Sequence, residues 1–242
     1  MSMKKDVGYV GYCAGAGIAA LLLLSACGPA AKDKTPVTPA TVPAVSHDPT
    51  PAMETASRGP TVLFIGTSLT AGLGLPSDQA FPVLVQQKAD SAGTPIVAVN
   101  AGVSGETSAG ALNRIDWVMR APADIVVIET GANDALRALP VAEARSNISK
   151  ILDRVRAAKP NARILLVQME APPNLGPQYT TAFHQMYVDL AREKGVTLGP
   201  FLLGGVAGIA ALNQADGVHP NAKGERIVAS NVWKALEPVV KG

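Results

Sequence analysis

From about residue 61 onward, short apolar runs alternate with longer stretches in which apolar residues recur every three or four positions. The runs are TVLFIG (61–66), PIVAVN (95–100), DIVVIET (124–130), RILLVQM (163–169) and, more weakly, VTLGP (196–200). The first four lack the strict alternation of a half-solvated strand, so they read as strands buried on both faces. The intervening patterns predict helices over about 78–92, 107–119, 140–158, 178–194 and 221–238. Asn161 after Pro160, and Gly195 after Lys194, are helix-to-strand breaks. Alternating β and α segments predict an α/β fold, a parallel sheet covered by helices on both sides.

Ligands of such sheets sit beyond the carboxyl ends of the strands. Small and polar residues gather in the loops there: GTSLTAG (66–72), NAGVSGETSAG (100–110), TGANDAL (130–136) and MEAPPN (169–174). A further loop, ADGVHP (215–220), precedes the last helix and must reach the same edge to matter.

The first 59 residues follow a different pattern. MSMKKD is positively charged, Val7 to Ala26 carries no charge, and Ser25 and Ala26 stand just before Cys27. Residues 1–26 therefore read as a signal peptide, with a membrane-spanning helix as the rival reading. Leu24-Ser25-Ala26-Cys27 resembles a bacterial lipobox, which implies acylation of Cys27 and a lipid anchor. Residues 27–59 are rich in Pro, Ala and Thr and read as a semi-extended tether spanning on the order of 30 Å. The expected location is outside the cytoplasm, anchored to a bacterial membrane. Gly28, in place of an aspartate after the cysteine, leans toward the outer membrane facing the periplasm.

This division leaves residues 60–242 as one domain with no cysteine, since the chain has only Cys13 and Cys27. Its stability must come from a core rather than disulfides. It carries 16 Lys+Arg against 15 Asp+Glu, without a basic block or interleaved aromatics, so no nucleic-acid partner is expected. The domain is expected to be monomeric.

Three histidines offer candidate chemistry. His47 lies in the tether, and His184 lies in a helix pattern as a surface or packing residue. His219 has Asp216 three residues before it, and Pro220 after it favours extended backbone. A carboxylate this near can fix one imidazole tautomer and leave the other nitrogen as a base, although a capped turn would look the same. No metal is expected, because zinc wants three or four ligands and there is no further His or Cys cluster. Ser68 sits where a strand turns into a helix, and a positioned histidine would make it a nucleophile. A helix cap or a phosphate-gripping hydroxyl fits the local sequence equally well. Gly105 and Asn133 could donate hydrogen bonds to an oxyanion, or simply form a turn and an Asx-turn.

Ser68, Gly105, Asn133 and Asp216-x-x-His219, in that order and on those loops, resemble the SGNH hydrolase superfamily, the GDSL-type esterases. The resemblance covers about 61–240, and NAGVSGETSAG and DGVHPNAKG are similar to the bacterial thioesterase I, lysophospholipase and arylesterase branch. It implies a three-layer α/β/α sandwich on a five-stranded parallel sheet, resembling flavodoxin. It also implies a cofactor-free serine esterase acting on a small-molecule ester: aryl or short-to-medium acyl esters, thioesters or lysophospholipids. Ser68 would be the nucleophile, His219 its base and Asp216 the group orienting the imidazole. Backbone N–H groups of Ser68 and Gly105, with the Asn133 amide, would form the oxyanion hole.

Two positions depart from the family pattern. Thr67 stands where Gly-Asp-Ser-Leu has its aspartate, leaving that loop without its negative charge. Ala132 stands where Gly-Gly-Asn-Asp has its second glycine, and its methyl is expected to narrow the pocket floor. The segments LGLP (73–76), LRALP (136–140) and FLLGGVAGIAAL (201–212) are candidate walls of an acyl groove, with packing the expectation for most of the last. The alternatives are a glycan O-deacetylase of the same superfamily, a flavodoxin-like phosphate-binding module, and a non-catalytic surface-binding lipoprotein. The anchor reading predicts that Cys27→Ser releases the protein from membranes; retention of an uncleaved chain in the membrane fraction would instead mark a spanning helix.

Overall fold

The computed structural model describes residues 59–242, so the signal segment, Cys27 and nearly all of the tether lie outside the described residues. Five strands form one parallel sheet: β1 (Thr61–Gly66), β2 (Val97–Gly102), β3 (Ile125–Ile128), β4 (Arg163–Gln168) and β5 (Thr197–Phe201). Their order is β2-β1-β3-β4-β5. The expected five-stranded parallel sheet and its helical cover are present.

The long helices are α2 (Phe81–Ser91), α3 (Ser108–Val118), α5 (Val141–Ala158), α6 (Gly176–Lys194) and α7 (Ala222–Lys241). Helices α2 and α7 pack on each other, while α3, α5 and α6 pack in a row, giving one layer on each side of the sheet. Two short helices, α1 (Ser68–Ala71) and α4 (Ala132–Leu136), follow β1 and β3. A helix after β1 is expected from the strand-to-helix turn at Ser68, whereas α4 leaves no periodic signal, because five residues are too few to display a 3.6-residue period.

Burial follows the strand order. All four residues of β3 are buried, as are five of the six in β1, with Phe64 packed edge-on against Phe81 of α2 at 5.8 Å. Strand β2 corrects the expectation of burial on both faces: none of its residues is fully buried, because it is an edge strand. Its pairing begins at Val97 rather than at residue 95, opposite Thr61, the first residue of its partner. Pro95 has no N–H to contribute to the ladder.

The chain leaves β1 toward β2 and returns across β1 to β3. The carboxyl ends of β1 and β3 therefore flank a topological switch point, where open α/β sheets form a crevice. Helices α1 and α4 start at this edge. The helix after the last loop is also fixed there, since Asn221 caps α7 by accepting from Lys223 N and Gly224 N at 2.9 and 3.2 Å.

Glu225, in the first turn of α7, is only 2% exposed, and its Oε2 has no partner. Burial pushes its carboxyl from the ordinary 4.5 up to about 8; the Phe81 N–H pulls it down and the Glu129 charge pushes it up. Between those two values the folded state holds a proton that the unfolded chain releases. The stability from this group is therefore present in acid and lost as pH rises toward 8. Unfolding in urea at pH 5 to 8 is expected to show a decline of up to about 1.4 kcal/mol per pH unit from this group. Glu225→Gln should flatten that slope, and an unchanged slope would assign the decline to other groups.

Candidate active site

The strand β1 ends at Gly66, where a side chain has no room. A Cβ there would fall on the Thr70 hydroxyl and within 2.6 Å of Glu129 Oε2. Thr67 follows as the N-cap of α1, accepting weakly from Leu69 N at 3.4 Å. Ser68 is then the first residue of that helix and is 7% exposed.

The loop is gripped from β3. Glu129 Oε2 accepts from Thr67 N at 2.8 Å and Thr70 Oγ1 at 2.9 Å, and both carboxyl oxygens lie 3.0 Å from the donating Thr67 hydroxyl. Burial pushes the Glu129 carboxyl up, against the pull of these hydrogen bonds. The missing aspartate at position 67 thus leaves the loop ordered, with a carboxyl group supplied from the neighbouring strand. Sequence reading did not single out Glu129. A lone acid closing an all-apolar run was the available signal.

Asp216 and His219 occupy the loop before α7. Asp216 Oδ1 accepts from the backbone N–H groups of Val218 and His219 at 2.9 and 3.0 Å, and Oδ2 lies 2.7 Å from His219 Nδ1. These contacts, led by the His219 backbone N–H, hold the Asp216 carboxyl down at about 2. A carboxylate accepting at Nδ1 places the ring proton there and leaves Nε2 as an acceptor. His219 Nε2 lies 2.8 Å from Ser68 Oγ. The loop is tied to the serine's loop a second time, through Gln214 Nε2 donating to Leu73 O at 2.7 Å. The structure therefore brings Ser68, Asp216 and His219 into one hydrogen-bonded line, across 151 residues of chain.

Gly105 and Asn133 are joined to each other's segments. Gly105 turns with φ +78°, a conformation suited to glycine, and an added Cβ would meet open space. Its carbonyl accepts from Arg137 Nη2 at 2.9 Å, while Asn133 Nδ2 donates to Glu106 O at 2.9 Å. The neighbouring Asp134 accepts from Ser108 N at 2.8 Å and from its hydroxyl at 2.5 Å. Glu106 is paired with Arg114 at 2.6 Å, and Arg114 also donates to Ala101 O at 2.8 Å. The loop after β2 is thereby clamped to α4, with the second Asn133 amide hydrogen left for another acceptor.

A cavity of about 460 Å³ opens at this edge, lined among others by Leu69, Ala132, Leu136, Met169, Phe201 and Val218. Leu69, Ala132 and Val218 are chain neighbours of Ser68, Asn133 and His219 respectively, so the cavity adjoins the line. Ala132 does contribute a methyl to its wall. Of the proposed walls, 136–140 contributes Leu136, and 201–212 contributes Phe201, Leu203, Ala207 and Gly208 while Leu202 and Val206 face the core. None of residues 73–76 lines it. His184 is half-exposed on α6 and bonds to Glu170, a residue of the cavity lining, at 2.7 Å; it makes no hydrogen bond to Ser68.

The GDSL-like Lipase/Acylhydrolase family model matches residues 64–227. The chain is 38% identical over 182 residues to Esterase TesA of Pseudomonas aeruginosa, covering 74% of this chain and 89% of that one. It is 35% identical over 186 residues to thioesterase 1/protease 1/lysophospholipase L1 of Escherichia coli, covering 76% and 87%. Among solved structures, the psychrotrophic esterase EstA from Pseudoalteromonas sp., inhibited by monoethylphosphonate, superposes with a TM-score of 0.71. That match is at 33% identity and covers 76% of this chain and all of that one.

Proposed function

From the premise that the chain belongs to the GDSL-like lipase/acylhydrolase family and is a carboxylic ester hydrolase of the TesA and thioesterase I type, we propose that Ser68 is its nucleophile. His219 is the general base and Asp216 the carboxylate that orients it. The observation carrying this reading is the continuous line from Asp216 Oδ2 through the imidazole to Ser68 Oγ, at 2.7 and 2.8 Å.

In the first step Ser68 Oγ attacks the ester carbonyl while its proton passes to His219 Nε2. The carbonyl oxygen becomes an oxyanion, met by the backbone N–H groups of Ser68 and Gly105 and by the Asn133 amide. As the C–O bond to the leaving group breaks, the imidazolium returns the proton to the departing alcohol. Water then repeats the sequence on the acyl-enzyme, releasing the acid and restoring Ser68. The imidazolium is stabilised by Asp216, whose carboxyl is held down at about 2 by the His219 and Val218 N–H groups and the imidazole.

The apolar cavity beside Ser68 supports an acyl or aryl group as the bound moiety and speaks against a sugar ring. The substrate class is thus short-to-medium acyl esters, with thioesters and lysophospholipids reached by the same chemistry. The N-terminal sequence supports an exported enzyme held to a membrane through Cys27.

With p-nitrophenyl esters of graded chain length, Ser68→Ala is expected to lower kcat by at least about a thousandfold with unchanged circular dichroism. Full turnover by that variant would refute the assignment. Ala171, a buried residue of the cavity wall, gives the second test. Ala171→Phe should shift the optimum to shorter acyl groups, with KM rising for longer ones and kcat on the acetyl ester little changed. An unaltered chain-length profile would place the acyl group elsewhere.

A further inference from the structure

Glu129 takes no part in the proton transfers above, yet it is fully buried directly after the central strand β3. A carboxylate there loses its hydration, a cost of several kcal/mol that good hydrogen bonds must offset. Every side-chain hydrogen bond it makes goes to Thr67 or Thr70, the residues on either side of Ser68-Leu69. Its own N–H donates to Ile65 O at 2.9 Å, so the acid is fixed to the same strand whose end it grips.

The grip acts on the backbone that aims Ser68. Thr67 is held at both its N–H and its hydroxyl, so its φ of −96° and ψ of −154° cannot change without breaking bonds to Glu129. The ψ angle of Thr67 sets the orientation of the Thr67–Ser68 peptide, and with it the direction of the Ser68 N–H. Gly66 lets this approach happen, since any Cβ would meet the Thr70 hydroxyl and the Glu129 carboxylate. Helix α1 by itself is only four residues long, too short to hold the serine by its own hydrogen bonds.

We propose that Glu129 is a positioning residue for Ser68, holding the Thr67–Ser68 peptide so that the hydroxyl faces His219 and the Ser68 N–H faces the developing oxyanion. This rests on Ser68 being the nucleophile. A misplacement of about 1 Å at a reacting group costs on the order of a hundredfold in rate, and that sets the scale expected here.

The test compares the full-length wild type with Ser68→Ala, Glu129→Gln, Thr67→Val, the Thr67→Val/Glu129→Gln double variant and Thr70→Val. The readouts are kcat and KM on p-nitrophenyl butyrate, the rate of serine labelling by a p-nitrophenyl alkylphosphonate, and kcat per labelled site. Glu129→Gln keeps the side chain's shape but replaces one accepting oxygen with a donor. Its kcat per labelled site is expected to fall about ten- to a hundredfold, with KM within about threefold and labelling slowed in parallel. The double variant should lose no more than Glu129→Gln alone, within about threefold, because both break one unit.

A Glu129→Gln protein that labels fully and keeps kcat within about twofold overturns the proposal, as does one in which only the labelled fraction falls. If that variant does not fold, Thr70→Val decides, since it removes one donor and leaves Thr67 intact. A several-fold loss of kcat at constant KM supports positioning, and no loss overturns it. Should Ser68→Ala remain active, the nucleophile assignment falls and this proposal with it. An inactive Ser68→Ala beside an unimpaired Glu129→Gln removes the proposal alone.

Discussion

When strands pair in parallel, each must be followed by a crossover that carries the chain back to the starting edge, so all of them end on the same side of the sheet. In this protein that condition delivers the loops after β1, β2 and β3 to one rim. The reversal of direction between β2 and β3 then opens a crevice at the ends of β1 and β3. Ser68 and Asn133 stand at those two ends, Gly105 stands after the edge strand beside them, and the loop before α7 brings His219 in from the chain's far end. The site inherits its precision from strands such as β3, whose residues are all buried, rather than from the loops themselves.

Four acidic side chains around this rim are put to different uses by their surroundings. Asp216 is exposed but accepts three hydrogen bonds, so its charge is held ionised against His219. Asp134 is buried and spends both oxygens on Ser108, fastening the loop after β2 to α4. Glu129 is buried among donors from the loop after β1. Glu225 is buried with one oxygen unpartnered, and burial dominates, pushing its carboxyl far above the ordinary value. The contrast between Asp216 and Glu225 is the difference between a carboxylate with enough donors and one without.

The strands were legible because apolar runs of Val and Ile are the direct trace of burial, and the long helices because they are long enough to show their period. Burial on the sheet's edge was not legible: PIVAVN is as apolar as a central strand, and only the strand order reveals that β2 has no neighbour on one side. His219 could be picked out since its partner lies three residues away in the chain. Ser68 could not be told from a helix cap locally, because its partner lies 151 residues away. The segment 201–212 was legible only as apolar. In the structure its residues divide between two jobs, Phe201 and Leu203 facing the cavity while Leu202 and Val206 face the core.

Thr67 shows how a departure from a family pattern can be read physically rather than counted as drift. Glu129 already places a carboxylate within 3.0 Å of the position 67 side chain. A second carboxyl there would lie against the first in a buried site, where two carboxylates could not both ionise readily. A threonine hydroxyl avoids that conflict, because it donates to Glu129 while its oxygen still accepts from Leu69 N. The same group thus serves the carboxylate below it and the start of α1 above it, and it adds no charge beside Ser68. The carboxyl group expected next to the serine in sequence is supplied from β3 instead. There it holds the loop through the Thr67 N–H and the Thr67 and Thr70 hydroxyls.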